Sequence, residues 1–212
     1  MNSIVHIALI FSIASQSYCV NILYLHTLLS PSHHLWNSAL AKELARNGYN
    51  VTFLSVDPPK EKIENLHYIV LEGTSENFYQ GEKVDLIEYS KESTRNKFKA
   101  AFVTTDYCGK TCSAIYKSQN GMTKILNYPI DFKFDLVIND FTCGPILLPI
   151  VHKFSYPPIV GVTPFLNPPY THLTIGGHKY PAYIPHYLMN FQPPMTFLER
   201  CYNLIIYLIE IL

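Results

Sequence analysis

Five short apolar runs, spaced by stretches of helical character, constrain the fold of this chain more than any other feature. Val20 to Thr27 reads Val-Asn-Ile-Leu-Tyr-Leu-His-Thr; Val51 to Val56, His67 to Leu71, Phe134 to Asn139 and Pro158 to Val162 follow. Runs of this length without polar alternation suit strands covered on both faces, as in a parallel sheet whose crossovers are helices. The sequence predicts a helix from about His34 to Asn47, with Trp36, Leu40 and Leu44 on one face and Gly48 as its stop. Residues 83–127 predict two or three helical segments, with Val84, Ile87, Phe98 and Phe102 pointing inward. Pro145 to Phe154 predicts a short helix. The expected class is α/β, a parallel sheet flanked by helices. Beyond Thr163 seven prolines and the pair Gly176-Gly177 interrupt regular structure, so a loop-rich cap is expected before a last helix from about Met195.

The two ends carry further expectations. Ile4 to Ala14 is apolar apart from His6 and Ser12, and Ser17-Tyr18-Cys19 offers small residues at the cleavage spacing. Residues 1–19 therefore read as a secretory signal peptide, although no Lys or Arg precedes the apolar stretch. Cys201 to Leu212 is mostly apolar but shorter than the roughly 20 residues of a membrane-spanning helix. A buried helix that stops in mid-pattern suggests a fragment or a truncated product. A secreted chain permits disulfides. For Cys108, Cys112, Cys143 and Cys201 the expectation is buried or unpaired thiols, with a Cys108–Cys112 bridge as the alternative and no zinc spacing. Asn50-Val51-Thr52 is a glycosylation sequon that overlaps a predicted strand.

Sixteen Lys and Arg balance sixteen Asp and Glu, and no long basic run stands out. Nucleic acid is therefore not an expected partner, because phosphate binding needs concentrated positive charge. The turn after the first strand has no glycine, so the G-x-G-x-x-G cradle of a dinucleotide site is absent, as are the nucleotide P-loop and the esterase G-x-S-x-G. What the turn has is Pro31-Ser32-His33-His34-Leu35-Trp36-Asn37. In an open α/β sheet ligands bind beyond the carboxyl ends of the strands, so a histidine here is placed to act as a general base. Asp140 ends the strand that starts near Phe134, at the same edge of the sheet, and is the candidate carboxylate partner for His33.

These residues carry a resemblance. Ser32 to Asn37, Leu44 to Thr52, Phe134 to Asp140, Tyr156 to Thr163, Tyr180 to Pro185 and Met195 to Arg200, in that order and spacing, resemble the N-terminal, acceptor-binding half of family 1 UDP-glycosyltransferases, most of all insect members. The resemblance implies a Rossmann-like domain, residues 20–212, the first of the two that face a cleft in the GT-B fold. It implies His33 as catalytic base, with His34 the competing choice, and Asp140 as its partner. It implies an inverting hexosyl transfer from a UDP-sugar to a hydroxyl of a small lipophilic acceptor, in a detoxification role, without a metal or a resident cofactor. Ser32, His34, Phe165, Asn167, Tyr170 and Tyr183 are the expected substrate-binding residues. The implied setting is the endoplasmic reticulum lumen, with membrane anchoring in the longer form. The donor domain and anchor of that family are missing from this sequence. The competing expectation is a non-catalytic short product that binds lipophiles or dimerises with full-length relatives, and homo- or hetero-dimerisation stays open. An unrelated hydrolase is disfavoured by the missing nucleophile elbow.

Overall fold

The computed structural model describes residues 19–80, 91, 95–165, 171–172 and 176–209. Five parallel strands form one sheet: β1 (Asn21–Leu25), β2 (Asn50–Ser55), β3 (Leu66–Val70), β4 (Leu136–Asp140) and β5 (Ile159–Val162). Their spatial order is β3-β2-β1-β4-β5. The helices are α1 (Pro31–Arg46), α2 (Thr74–Tyr79), α3 (Lys97–Tyr116), α4 (Gln119–Leu126), α5 (Leu148–Lys153) and α6 (Phe197–Ile209). A 3-10 turn, Phe141–Cys143, follows β4 directly. This is the Rossmann-like α/β arrangement expected of an N-terminal GT-B domain. The five apolar runs all became strands; β1, β2 and β4 are buried almost throughout, whereas β3 is only partly covered and β5, at the sheet edge, leaves Val160 and Gly161 exposed.

Strand alternation divides the core. Leu23, Leu25, Leu54 and Val137 join Ile115, Ile125, Leu147 and Val151 on one face. Ile22, Tyr24, Val51, Phe53 and Ile138 pack with Ala41 and Ala45 of α1 on the other. That parity matters for the site. Tyr24 pairs with Ile138 across the β1–β4 ladder, and Leu25 with Asn139. One further step sets His26 beside Asp140, both on the α1 face.

Several expectations need correcting. The buried side of α1 is Asn37, Ser38, Ala41 and Ala45, while Trp36 is exposed and Leu40 and Leu44 are only partly covered. Small residues let the helix axis approach the sheet, so its largest apolar groups lie beside the seam rather than in it. Phe102 is exposed, and Phe98 is half-buried with its ring edge-on to Tyr202 of α6. Val84 and Ile87 lie outside the described residues. The short helix α2 was not anticipated. Cys108 and Cys143 form a disulfide, with Cα atoms 5.2 Å apart, in place of free thiols or a Cys108–Cys112 bridge. Cys112 and Cys201 are free.

Helix α6 opens with a capping box. Glu199 N–H donates to Thr196 Oγ1 at 3.3 Å, and Glu199 Oε2 accepts from Thr196 N–H at 2.7 Å. Its outward face carries Leu204, Ile205 and Leu208 exposed. Among the described residues, no helix is long and apolar enough to cross a membrane.

Candidate active site

The chain leaves β1 toward β2 and β3 on one side, and returns to lay β4 on the other side of β1. Such a reversal of strand order opens a crevice at the carboxyl ends of the two strands involved. The loop after β1 and the turn after β4 meet in that crevice. Ser30 is the N-cap of α1 and Pro31 its first residue, so the helix starts early enough to place His33 in its first turn.

Asp140 is the centre. Its Oδ1 accepts from the Thr142 backbone N–H at 2.9 Å and from the Thr142 hydroxyl at 2.6 Å. Its Oδ2 accepts from Asn37 Nδ2 at 2.7 Å. His33 Nδ1 stands 3.6 Å from the same Oδ2, and His26 Nδ1 stands 3.4 Å from it. Burial pushes the Asp140 carboxyl up, but the two imidazoles and the Thr142 hydrogen bonds outweigh it and hold the group well below the usual carboxylate range. Asp140 is thus a buried, ionised carboxylate.

Thr142 decides the tautomer of His33. Its Oγ1 lies 3.2 Å from His33 Nδ1. The single hydroxyl proton is donated to Asp140, so the oxygen is left to accept from Nδ1–H. In the neutral ring His33 therefore carries its proton on Nδ1, which leaves the lone pair on Nε2. The His33 ring also meets Phe165 edge-on at 5.5 Å.

Asn37 binds the site to the core. Its Nδ2 donates to both Asp140 and the His33 backbone carbonyl, the latter at 2.9 Å, while its Oδ1 accepts from Tyr24 OH at 2.8 Å. Burial, and then the nearby Asp140 charge, push the Tyr24 phenol up, so it stays a donor. Tyr24, His26, Asn37 and Thr142 were not singled out from the sequence. The signals were present: Asn37 lies one helical turn beyond His33, and Thr142 lies two residues past a strand-ending Asp, the spacing of a side-chain cap.

His34 faces elsewhere. Its Nδ1 is 3.4 Å from Asp57 Oδ2 and 3.4 Å from Ser55 Oγ. Burial lowers its pKa against the opposing pull of Asp57. The structure therefore brings His33, and not His34, to Asp140. Ser32 is exposed, with its hydroxyl 3.1 Å from that of Ser30. Tyr183 is exposed and stacked on Tyr180. Asn167 and Tyr170 lie outside the described residues.

A cavity of about 370 Å³ opens beside His33. Leu28, Leu29, Ala100, Thr104, Tyr107, Phe165, Tyr187 and Leu188 line it, together with Thr142 and the Cys108–Cys143 disulfide. Ser32, His34 and Tyr183 are not in that lining. The wall is more apolar than polar, with the hydroxyl-bearing residues Ser30, Thr104, Tyr107, Thr142 and Tyr187 set among the apolar ones besides His33. Among the described residues there is no cluster of His, Cys, Asp and Glu that would hold a metal ion.

No family model matches the chain, and no solved structure matches it. The chain is 28% identical over 198 residues to a protein of Dactylopius coccus named UDP-glucosyltransferase 2. The chain is related to a UDP-glycosyltransferase. That similarity covers 93% of this chain and 36% of the relative, so the chain spans about a third of the length of the curated relative it matches.

Proposed function

We propose that this chain is the acceptor-binding part of an inverting UDP-hexosyltransferase, with His33 as general base and Asp140 as the carboxylate behind it. The observation that carries the reading is His33 in the wall of a largely apolar cavity, with its Nδ1 3.2 Å from the Thr142 hydroxyl and 3.6 Å from the Asp140 carboxylate. The relative named as a UDP-glucosyltransferase supports the donor class. The disulfide supports an oxidising compartment such as the endoplasmic reticulum lumen.

In this reading a small lipophilic alcohol or phenol enters the cavity and presents its hydroxyl to His33 Nε2. The imidazole takes the proton as the acceptor oxygen attacks the anomeric carbon of the UDP-sugar. The bond from that carbon to the β-phosphate oxygen breaks, UDP leaves with the electron pair, and the configuration inverts. His33 becomes a cation at that moment. Asp140, already ionised and held by Asn37 and Thr142, stabilises the cation without reorganising. The UDP-sugar is a co-substrate, and the larger part of its binding is assigned to sequence beyond this chain.

The test uses the transferase that contains this chain, with UDP-glucose and a panel of lipophilic phenols, and follows UDP release. His33→Ala is expected to lower turnover by about 10²–10⁴-fold while UDP binding is retained. Turnover that survives the substitution would overturn the base assignment.

A further inference from the structure

The second histidine on Asp140 is not needed by that mechanism. His26 is fully buried, just beyond β1, and its ring stacks on Phe53 of β2. Neither of its ring nitrogens has a conventional hydrogen-bond partner, yet Nδ1 lies 3.4 Å from Asp140 Oδ2. His33 Nδ1 stands 3.6 Å from the same oxygen. A buried imidazole aimed at a buried carboxylate is costly to retain as mere filling, because an apolar ring would pack there without a desolvation penalty.

The geometry points to His26 as a positioning residue for His33: the two imidazoles share one carboxylate oxygen, and His26 draws on charge that would otherwise serve His33 alone. The consequence is a weaker base. A carboxylate wholly devoted to His33 would stabilise its cation and keep it protonated to higher pH. Divided between two imidazoles, the Asp140 charge supports the His33 cation less than it would beside an apolar residue at position 26.

The other titratable groups around His26 are few. His34 on α1 lies 5.8 Å away ring to ring, and Asp57, beyond β2, faces His34 rather than His26. Tyr24, two residues back on β1, donates to Asn37. Lys42 and Lys60 act on His34 only at longer range. None of these contacts Asp140 Oδ2, so the effect of His26 on His33 runs through Asp140.

The proposal rests on reading His33 as the base, but its test needs neither sugar nor acceptor. The chain is labelled with ¹⁵N-histidine, the His33 ring is assigned by its loss in His33→Gln, and its titration midpoint is read by NMR. His26→Phe keeps the stacking and removes the nitrogen facing Asp140. It is expected to raise the His33 midpoint by about half to one pH unit. His26→Asn, which can return an N–H donor near the position of Nδ1, is expected to stay close to the wild-type midpoint. If His26→Phe does not fold, His26→Leu replaces it under the same criteria. An unchanged midpoint in the apolar variant, or equal shifts in the apolar and Asn variants, would overturn the proposal and leave the transferase reading standing. Failure of the transferase reading shows instead as turnover surviving His33→Ala.

Discussion

Asn37 does for the site what neither histidine nor carboxylate can do for itself. One amide accepts from a buried phenol, donates to a buried carboxylate and holds the backbone carbonyl of the base in place. All of its strong hydrogen-bonding groups are used inside the protein, which makes the network specific as well as stable. Asp140 gives the network its pH dependence. Its folded-state pKa lies below the unfolded one, so in the acid range the unfolded chain binds the extra proton and stability rises with pH. The contribution is whole above about pH 5 and is lost as pH falls through and below the ordinary carboxylate value of about 4. Urea unfolding of the wild type and Asp140→Asn, from about pH 6 down to about pH 3, is expected to show the wild-type advantage narrowing toward acid. A constant gap would mean that Asp140 is not the group responsible.

At the scale of elements, the turn Phe141–Cys143 is held from three directions. Asp140 caps it, and Cys143 is bonded to Cys108 of α3. Phe141 lies against Gly161 of β5, where an added Cβ would stand 2.0 Å from its ring. The disulfide joins residues 35 apart in sequence, a loop whose closure in the unfolded chain is worth about 3–4 kcal/mol. The double variant Cys108→Ser, Cys143→Ser is expected to lose that much unfolding free energy in urea, and reduction of the wild type is expected to cost the same. An undiminished midpoint would show the bridge to be dispensable.

The central strands β1, β2 and β4 were legible because a strand covered on both faces must be apolar along its length. Asp140 was legible because strand ends in such sheets bear function. The face of α1 was not, because hydrophobicity singles out Trp36 whereas close packing on the sheet selects Ala41 and Ala45. Nor was His26. Alternation along β1 puts it on the side of Ile22 and Tyr24, but its neighbour Asp140 follows only from the β1–β4 register, which no local pattern encodes. The Cys108–Cys143 pairing is hidden for the same reason.

Over the whole molecule, the sheet decides which sequence signals have effect. The sequon at Asn50 falls at the start of β2, between β1 and β3. Asn50 Nδ2 already donates to Asn21 Oδ1 at 2.7 Å, and Thr52 is buried. The folded chain is therefore expected to leave a secretory host unglycosylated at Asn50, checked as an unchanged mass after amidase digestion. A glycan found there would mean that attachment precedes the closing of β1 onto β2.

The adjacency of β1 and β4 also sets an order of events. Asn21 N–H meets the Asp135 carboxylate across 114 residues of chain, whereas β1 and β2 are joined by a single helix and short turns. Closing the longer loop costs more entropy and is repaid only once the non-local contacts form. As the chain emerges in synthesis, β1, α1, β2 and β3 are complete while Asp140 is still to come. His33 is thus present long before its carboxylate partner, and a histidine beside Asp140 is a signature of a molecule in which β4 has joined β1.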